Sequence, residues 1–121
     1  MSKQHAEYRE QRPWGYFIVL VDKPGYKIKL LVIKPGHKLS LQFHEHRNEY
    51  WTVVQGEGIV TLDTHKSFLE KGDHHFIPIG LIHRVENPLE NSEALKVVEV
   101  SMGSYLGEND VIRLDDQYSR N

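Results

Sequence analysis

The stretch LSLQFHEHRNEYWTVVQGEG, residues 39–58, sets histidine, glutamate, arginine and glutamine side chains into a run whose other letters are those of β-strands. Side chains alternate across a strand, so Leu39, Leu41 and Phe43 are expected on one face, and Ser40, Gln42 and His44 on the other. The apolar set belongs in a hydrophobic layer, and the polar set needs a wetter concavity. Glu49 opens the next strand segment in phase with Trp51 and Val53. The four residues between His44 and Glu49 give a turn or bent edge that returns the carboxylate to the imidazole. Gly56 and Gly58 then permit a tight connection.

Outward from this stretch the same grammar recurs. Short runs such as YFIVLVD, YKIKLLVI, IVTLD, SFLEKGD, HHFIPIG, IHRVEN and LKVVEVSMG are rich in β-branched and aromatic residues, with glycine or proline at nearly every break. This is the pattern of strands joined by tight turns, and it predicts an all-β antiparallel barrel or sandwich. With 121 residues the chain makes one domain. The polar residues 1–15 read as an N-terminal arm or edge segment and 16–103 as the strand-rich body. Residues 104–121 read as an extension, a short helix and strand or irregular chain. Its Tyr105, Leu106, Val111 and Ile112 need cover on the body or on a second subunit, so a homodimer is expected.

Composition narrows the function classes. A formal charge of -2 offers no basic footprint, so no nucleic-acid partner is expected. No run approaches the roughly 18 apolar residues of a membrane span, and the amino terminus lacks a signal-peptide core. A soluble, cytoplasmic protein is expected, in keeping with the absence of cysteine. That absence also leaves any metal to histidine, carboxylate or amide donors.

Seven of the eight histidines fall between His37 and His83. The later run GDHHFIPIGLIHRVEN, residues 72–87, has Pro78 and Gly80 marking a turn into a strand that carries His83 and Val85. A barrel brings this strand across the cavity from Gln42 and His44. The expected metal ligands are therefore Gln42, His44, Glu49 and His83, with one or two positions left for water or substrate. A solvated carboxylate at Glu49 and a hydrogen-bonded wall histidine at His83 are the plain alternatives, outweighed by the common phase of the set. Mixed nitrogen and oxygen donors accept zinc, manganese, iron, cobalt or nickel, and zinc suits a non-redox reaction best. His74 and His75 stay outside the ligand set. Trp14, Phe17, Trp51 and Phe76 are expected to anchor the core.

Two spaced motifs carry a family resemblance. Gly36, five residues, Gln42, one residue, His44, four residues, Glu49, six residues and Gly56 form the first. Gly72, five residues, Pro78, Ile79, Gly80, two residues, His83, three residues and Asn87 form the second. They resemble the paired motifs of the cupin superfamily, which implies a double-stranded β-helix or jelly-roll barrel. Glutamine where cupins usually carry histidine is the choice of phosphomannose isomerases. With RPWG at 12–15, FIPIGLIHRVENP at 76–88 and VVEVSMGSYLGENDVIRLDDQYSR at 97–120, the chain resembles the type II phosphomannose isomerase domain from about Arg12 to Arg120. That domain is often the carboxy-terminal part of bifunctional proteins that also carry mannose-1-phosphate guanylyltransferase. No guanylyltransferase domain fits before Arg12, so sugar-nucleotide synthesis is not expected of this chain alone. Tyr50 departs from the family, which usually has histidine after the glutamate. It has the opposite phase from Glu49, so its effect is expected on surrounding contacts.

The resemblance implies interconversion of mannose 6-phosphate and fructose 6-phosphate through a metal-stabilised enediolate. His46, in phase with Gln42 and His44 if the strand stays regular, is the expected base, its alternative being a rim residue. Arg47 is the expected phosphate-binding residue, with Lys38 and Arg12 approaching from neighbouring chain. Its alternative is an ion pair with Glu45 or Glu49. Alternation turns Arg84 away from the cavity. Two other functions fit the same motifs: a metal-bearing sugar-phosphate sensor or accessory subunit, and an iron dioxygenase of the cupin class.

Overall fold

The computed structural model describes residues 8–115, and every regular element among them is a strand. The first sheet contains β1 (Tyr8–Arg12), β2 (Gly15–Lys23), β3 (Tyr26–Ile33), β6 (Arg47–Gln55), β9 (His74–Ile77) and β11 (Leu95–Gly103), in the order β1-β2-β3-β11-β6-β9. The second contains β4 (His37–Lys38), β5 (Leu41–Phe43), β7 (Gly58–Leu62), β8 (His65–Leu69), β10 (His83–Asn87) and β12 (Ile112–Asp115), in the order β12-β5-β10-β7-β8 with β4 beside β10. All the pairings are antiparallel. The all-β expectation therefore holds, and neither sheet closes on itself. No helix among the described residues is long and apolar enough to cross a membrane.

Alternation along three adjacent strands builds the interior. Lys29, Leu31 and Ile33 of β3, Leu95, Val97, Glu99 and Ser101 of β11, and Arg47, Glu49, Trp51 and Val53 of β6 are all buried. Trp14, Phe17, Val60, Leu69, Ile77 and Val85 complete the apolar core. Each fully buried side chain of this kind contributes on the order of 1.5–3 kcal/mol. The antiparallel register then gathers the polar members at one end of the sandwich. Lys29 faces Glu99, Glu99 faces Trp51, and Ser101 faces Glu49. One end of the interior is thus hydrocarbon and the other is charged, and this division places the site.

Asn87 locks the apolar end, its amide donating to the carbonyls of Ile33 at 2.8 Å and Glu93 at 3.0 Å. Gly56 turns β6 into β7 with φ at 82°, where a Cβ would also lie 2.7 Å from the Ala94 carbonyl oxygen. Glycine is the residue that meets both demands.

Several expectations need correction. Alternation fails just before β5: Leu39 packs on the core, while Ser40 is also buried and bonds Gln42, because residues 39–40 lie between β4 and β5 and do not keep strand phase. Phe76 is half exposed, since it lies on the outer face of edge strand β9, where its ring stacks on Tyr50 with centroids 4.9 Å apart. Tyr8–Arg12, within the region read as an arm or edge segment, forms β1 at the edge of the first sheet. In the carboxy-terminal extension, the expected helix is absent among the described residues, and Ile112–Asp115 forms a strand on β5. Residues 1–7 and 116–121 of these two expected regions lie outside the described residues.

Candidate metal centre

The chain changes sheets between Phe43 and Arg47, and this crossing builds the site. Asp110 holds the bend, its two carboxylate oxygens accepting from the amides of Glu45 and His46 at 3.0 Å each. The amide of Gly80 donates to the His44 carbonyl at 2.8 Å, tying the β9–β10 turn to the same point. His83 accordingly comes from one sheet, Glu49 from the other, and His44 from the crossing between them. Gln42 and His83 were expected to face each other across a cavity. They are instead direct ladder partners, because β10 pairs with β5.

Both imidazoles are oriented in the same way. His44 Nδ1 lies 2.7 Å from the Asp110 carbonyl oxygen and His83 Nδ1 lies 2.8 Å from that of Leu81. A carbonyl only accepts, so each Nδ1 carries a proton, each Nε2 points inward, and in the neutral ring that Nε2 offers a lone pair. The two Nε2 atoms are buried without a well-formed hydrogen bond. They stand beside Glu49, His44 Nε2 at 2.9 Å from Oε2 and His83 Nε2 at 3.8 Å from Oε1. Two lone pairs converging on a carboxylate repel unless a cation or a proton joins them. Donor atoms of His44, Glu49 and His83 all fall within 4.8 Å of one another. This nitrogen and oxygen set fits a borderline divalent cation, with both histidines fixed from behind by carbonyls as metal-bound histidines usually are.

Charge around the site is one-sided. Arg47 is buried, with Nε and Nη2 each 2.9 Å from Glu49 Oε2, while Trp51 Nε1 donates to Oε1 at 3.0 Å. Burial alone would raise the Glu49 pKa, but the contact with His44 and the charges of His44, Arg47 and His83 hold it far below the ordinary value. Burial depresses His44 as well, yet the Glu49 carboxylate outweighs it and raises its pKa. For His83, more distant from Glu49, burial wins and the pKa falls. Glu99 is pushed up to about 7 by burial and by the Glu49 charge, against the pull of Lys29 and Arg47.

Of the residues singled out from sequence, His44, Glu49 and His83 converge. Gln42 lines the adjoining cavity, its amide oxygen accepting from Ser40 Oγ at 3.0 Å. Arg47 lines that cavity too, bound to Glu49. His46 is exposed and lies edge-on to Tyr105, because the bend at residues 44–46 interrupts strand phase. A second group, Glu45, His46 and Asp110, also comes together, but the Asp110 carboxylate already accepts the two bend amides. Arg84 points elsewhere, donating to the carbonyls of Leu39 and Asp115. Asp110, Lys29 and Glu99 went unnoticed in sequence. Asp110 lies 66 positions from His44, and nothing local to GEND marks it. The inward phase of Lys29 in YKIKLLVI was the available signal.

The cavity, of about 60 Å³, is lined by residues of both sheets, among them Phe17, Lys29, Gln42, Arg47 and Glu99. Residues Glu108 and Val111 of the segment after β11 also line it. That segment lies over the polar end of the sandwich, held by Lys27 Nζ on the Leu106 carbonyl at 3.3 Å and by an ion pair between Lys29 and Glu108.

Comparison with known proteins agrees with this architecture. The family described as mannose-6-phosphate isomerase C-terminal matches residues 1–116. A mannose-1-phosphate guanylyltransferase of Klebsiella pneumoniae is 41% identical over 123 residues, which cover 98% of this chain and 26% of that protein. The alginate biosynthesis protein AlgA of Pseudomonas aeruginosa is 44% identical over 120 residues, covering 98% of this chain and 24% of that protein. The chain thus spans about a quarter of the length of these relatives. Among solved structures, the capsular polysaccharide assembling protein CapF of Staphylococcus aureus matches with a TM-score of 0.78 at 20% identity, over 93% of this chain and 35% of CapF. Oxalate decarboxylase from Bacillus subtilis matches with a TM-score of 0.77 at 19% identity, over 89% of this chain and 30% of that one. At these identities the likeness is one of fold, that of a cupin-type two-sheet domain. On the matched residues and the relatives together, this chain belongs to the mannose-6-phosphate isomerase C-terminal family.

Proposed function

We propose that this chain is a metal-dependent aldose–ketose isomerase that interconverts mannose 6-phosphate and fructose 6-phosphate. The observation that carries the reading is the pair of inward-facing, buried imidazole Nε2 atoms of His44 and His83, set around Glu49 beside a cavity lined with charged groups. Gln42, next to His83 in the ladder, is the fourth donor, and zinc is preferred over manganese, iron, cobalt or nickel. When bound, the ion supplies a Lewis acid for the adjacent oxygens at carbons 1 and 2 of the open-chain sugar.

The protein's own groups do the rest. Arg47 keeps Glu49 ionised and fixed. The candidates for carrying the proton between carbons 2 and 1 are Glu99, which lines the cavity, and His46, exposed on the bend before β6. Leu31 and Leu39 wall the cavity against water. The substrate is a cytoplasmic metabolite, and no nucleic acid or membrane enters the reading. A homodimer belongs to it, supported by the exposed Tyr50 and Phe76 pair. Sedimentation as a monomer at every concentration would remove that element.

A second reading has its own support: a metal-bearing sugar-phosphate sensor or accessory domain. His46 stands outside the cavity and Arg47 is committed to Glu49, so neither group first expected to act on substrate is free in front of it. One experiment separates the two. Chains loaded with a defined metal are given mannose 6-phosphate, and proton exchange at carbon 2 is followed for wild type, His44→Ala, His46→Gln and Glu99→Gln. Exchange that vanishes in His44→Ala, and in one of the other two, supports the isomerase. Binding without exchange under any of the metals assigns the chain to the second reading.

A further inference from the structure

The cavity beside the metal centre is too small for the substrate. About 60 Å³ holds roughly two waters, whereas sites for small organic ligands run from about 300 Å³ upward. A groove of about 460 Å³ lies next to it, lined by Tyr8, Glu10, Phe17, Val19, Asp22, Lys27, Lys29 and Glu108. Phe17, Lys29 and Glu108 line both spaces, so the Lys29–Glu108 ion pair stands at the passage between them.

The two partners are unequal. Lys29 is 4% exposed, fixed on the inner face of β3 with its ammonium 4.4 Å from the centre of the Phe17 ring. The Glu108 side chain is 47% exposed and comes from the irregular segment between β11 and β12. A buried, preorganised cation thus meets a carboxylate that solvent already reaches. Arg12 approaches the same ring, its guanidinium carbon 5.1 Å from the centroid, and is paired with the partly exposed Glu10. Two cations therefore flank Phe17, each covered by a carboxylate within reach of water. In the sheet, Lys29 is two strands across and two residues along from Glu49. The strand spacing and rise put their backbones roughly 12 Å apart, both on the inward face of the sheet.

Resting on the isomerase reading, we propose that Lys29 and Arg12 form the phosphate-binding site and that Glu108 is the counter-ion the phosphate displaces, opening the groove into the cavity. Phosphate offers more acceptor oxygens and more charge than a carboxylate, so it competes for the same ammonium on favourable terms.

The test is calorimetric titration of the metal-loaded chain with inorganic phosphate, mannose 6-phosphate and mannose, alongside KM and kcat for isomerisation. Lys29→Gln should weaken both phosphate-bearing ligands tenfold or more and Arg12→Gln by a smaller factor. Glu108→Gln should tighten them at least threefold, and mannose should bind equally to all four proteins. Unchanged phosphate affinity in a folded Lys29→Gln, or weaker binding in Glu108→Gln, overturns the proposal. Should Lys29→Gln not fold, Glu108→Gln, altered at an exposed side chain, decides alone. Turnover with KM unaltered in Lys29→Gln would reject this site and leave the isomerase standing. The expected affinity pattern without turnover would do the reverse.

Discussion

Glu49 shows how one carboxylate can organise a site. Its Oε2 meets His44 and both contacting nitrogens of Arg47, and its Oε1 meets the Trp51 indole. Replacing it with Gln leaves Arg47 buried without its closest counter-charge, so Glu49→Gln should lose about 3–5 kcal/mol of unfolding free energy in denaturant titrations of the metal-free chain. The same substitution should empty the metal site, read as metal content after dialysis. His44 carries a second consequence. Its pKa in the metal-free protein lies above the ordinary value because Glu49 stabilises the imidazolium. Below that pKa a proton occupies the nitrogen a metal needs, and above it the lone pair is free. Metal affinity should therefore fall as pH drops through it, with uptake releasing close to one proton at the acid end. Calorimetry in buffers of differing ionisation enthalpy measures that number, and no release at any pH would contradict the tautomer assigned to His44.

At the scale of elements, the close approach of β11 to the start of β6 governs where Arg47 and Glu49 sit. A Cβ at Gly103 would lie 2.1 Å from the His46 carbonyl oxygen and 2.7 Å from the Arg47 Cα. Gly103→Ala should push the two strands apart, costing about 1–3 kcal/mol and weakening the metal together with fold stability. Thermal melting with and without zinc is the measurement. Strand positions were legible in the sequence because alternation and turn residues are local signals, and the runs ending in Gln55, Asn87 and Gly103 read directly. The convergence of His44, Glu49 and His83 was legible for the same reason, since the three sit at fixed distances from glycines and prolines. What alternation could not supply was the crossing at residues 44–46. A bend held by Asp110, from 64 and 65 positions away, carries no local mark, and it turns His46 outward. For Arg47, both a phosphate-binding role and an ion pair with Glu45 or Glu49 were visible beforehand, but choosing between them required the position of the facing sheet.

For the molecule as a whole, the decisive feature is the segment between β11 and β12. Its Glu108 closes the passage at Lys29, and two residues later its Asp110 carbonyl fixes the His44 ring. One short length of backbone thus touches both the proposed anion site and the metal centre. Opposite charges at the two sites attract, so phosphate and metal should each bind more tightly when the other is present. Titrating zinc with and without inorganic phosphate, and phosphate with and without zinc, should return the same factor in both directions. Equality is required by thermodynamics, but a factor above one is specific to this arrangement, and Glu108→Gln should change its size. On the proposed reading, sugar phosphate concentration would then set how much of the protein holds its metal, so a cell short of that ion would keep this site charged for as long as substrate lasted and surrender the ion when it ran out.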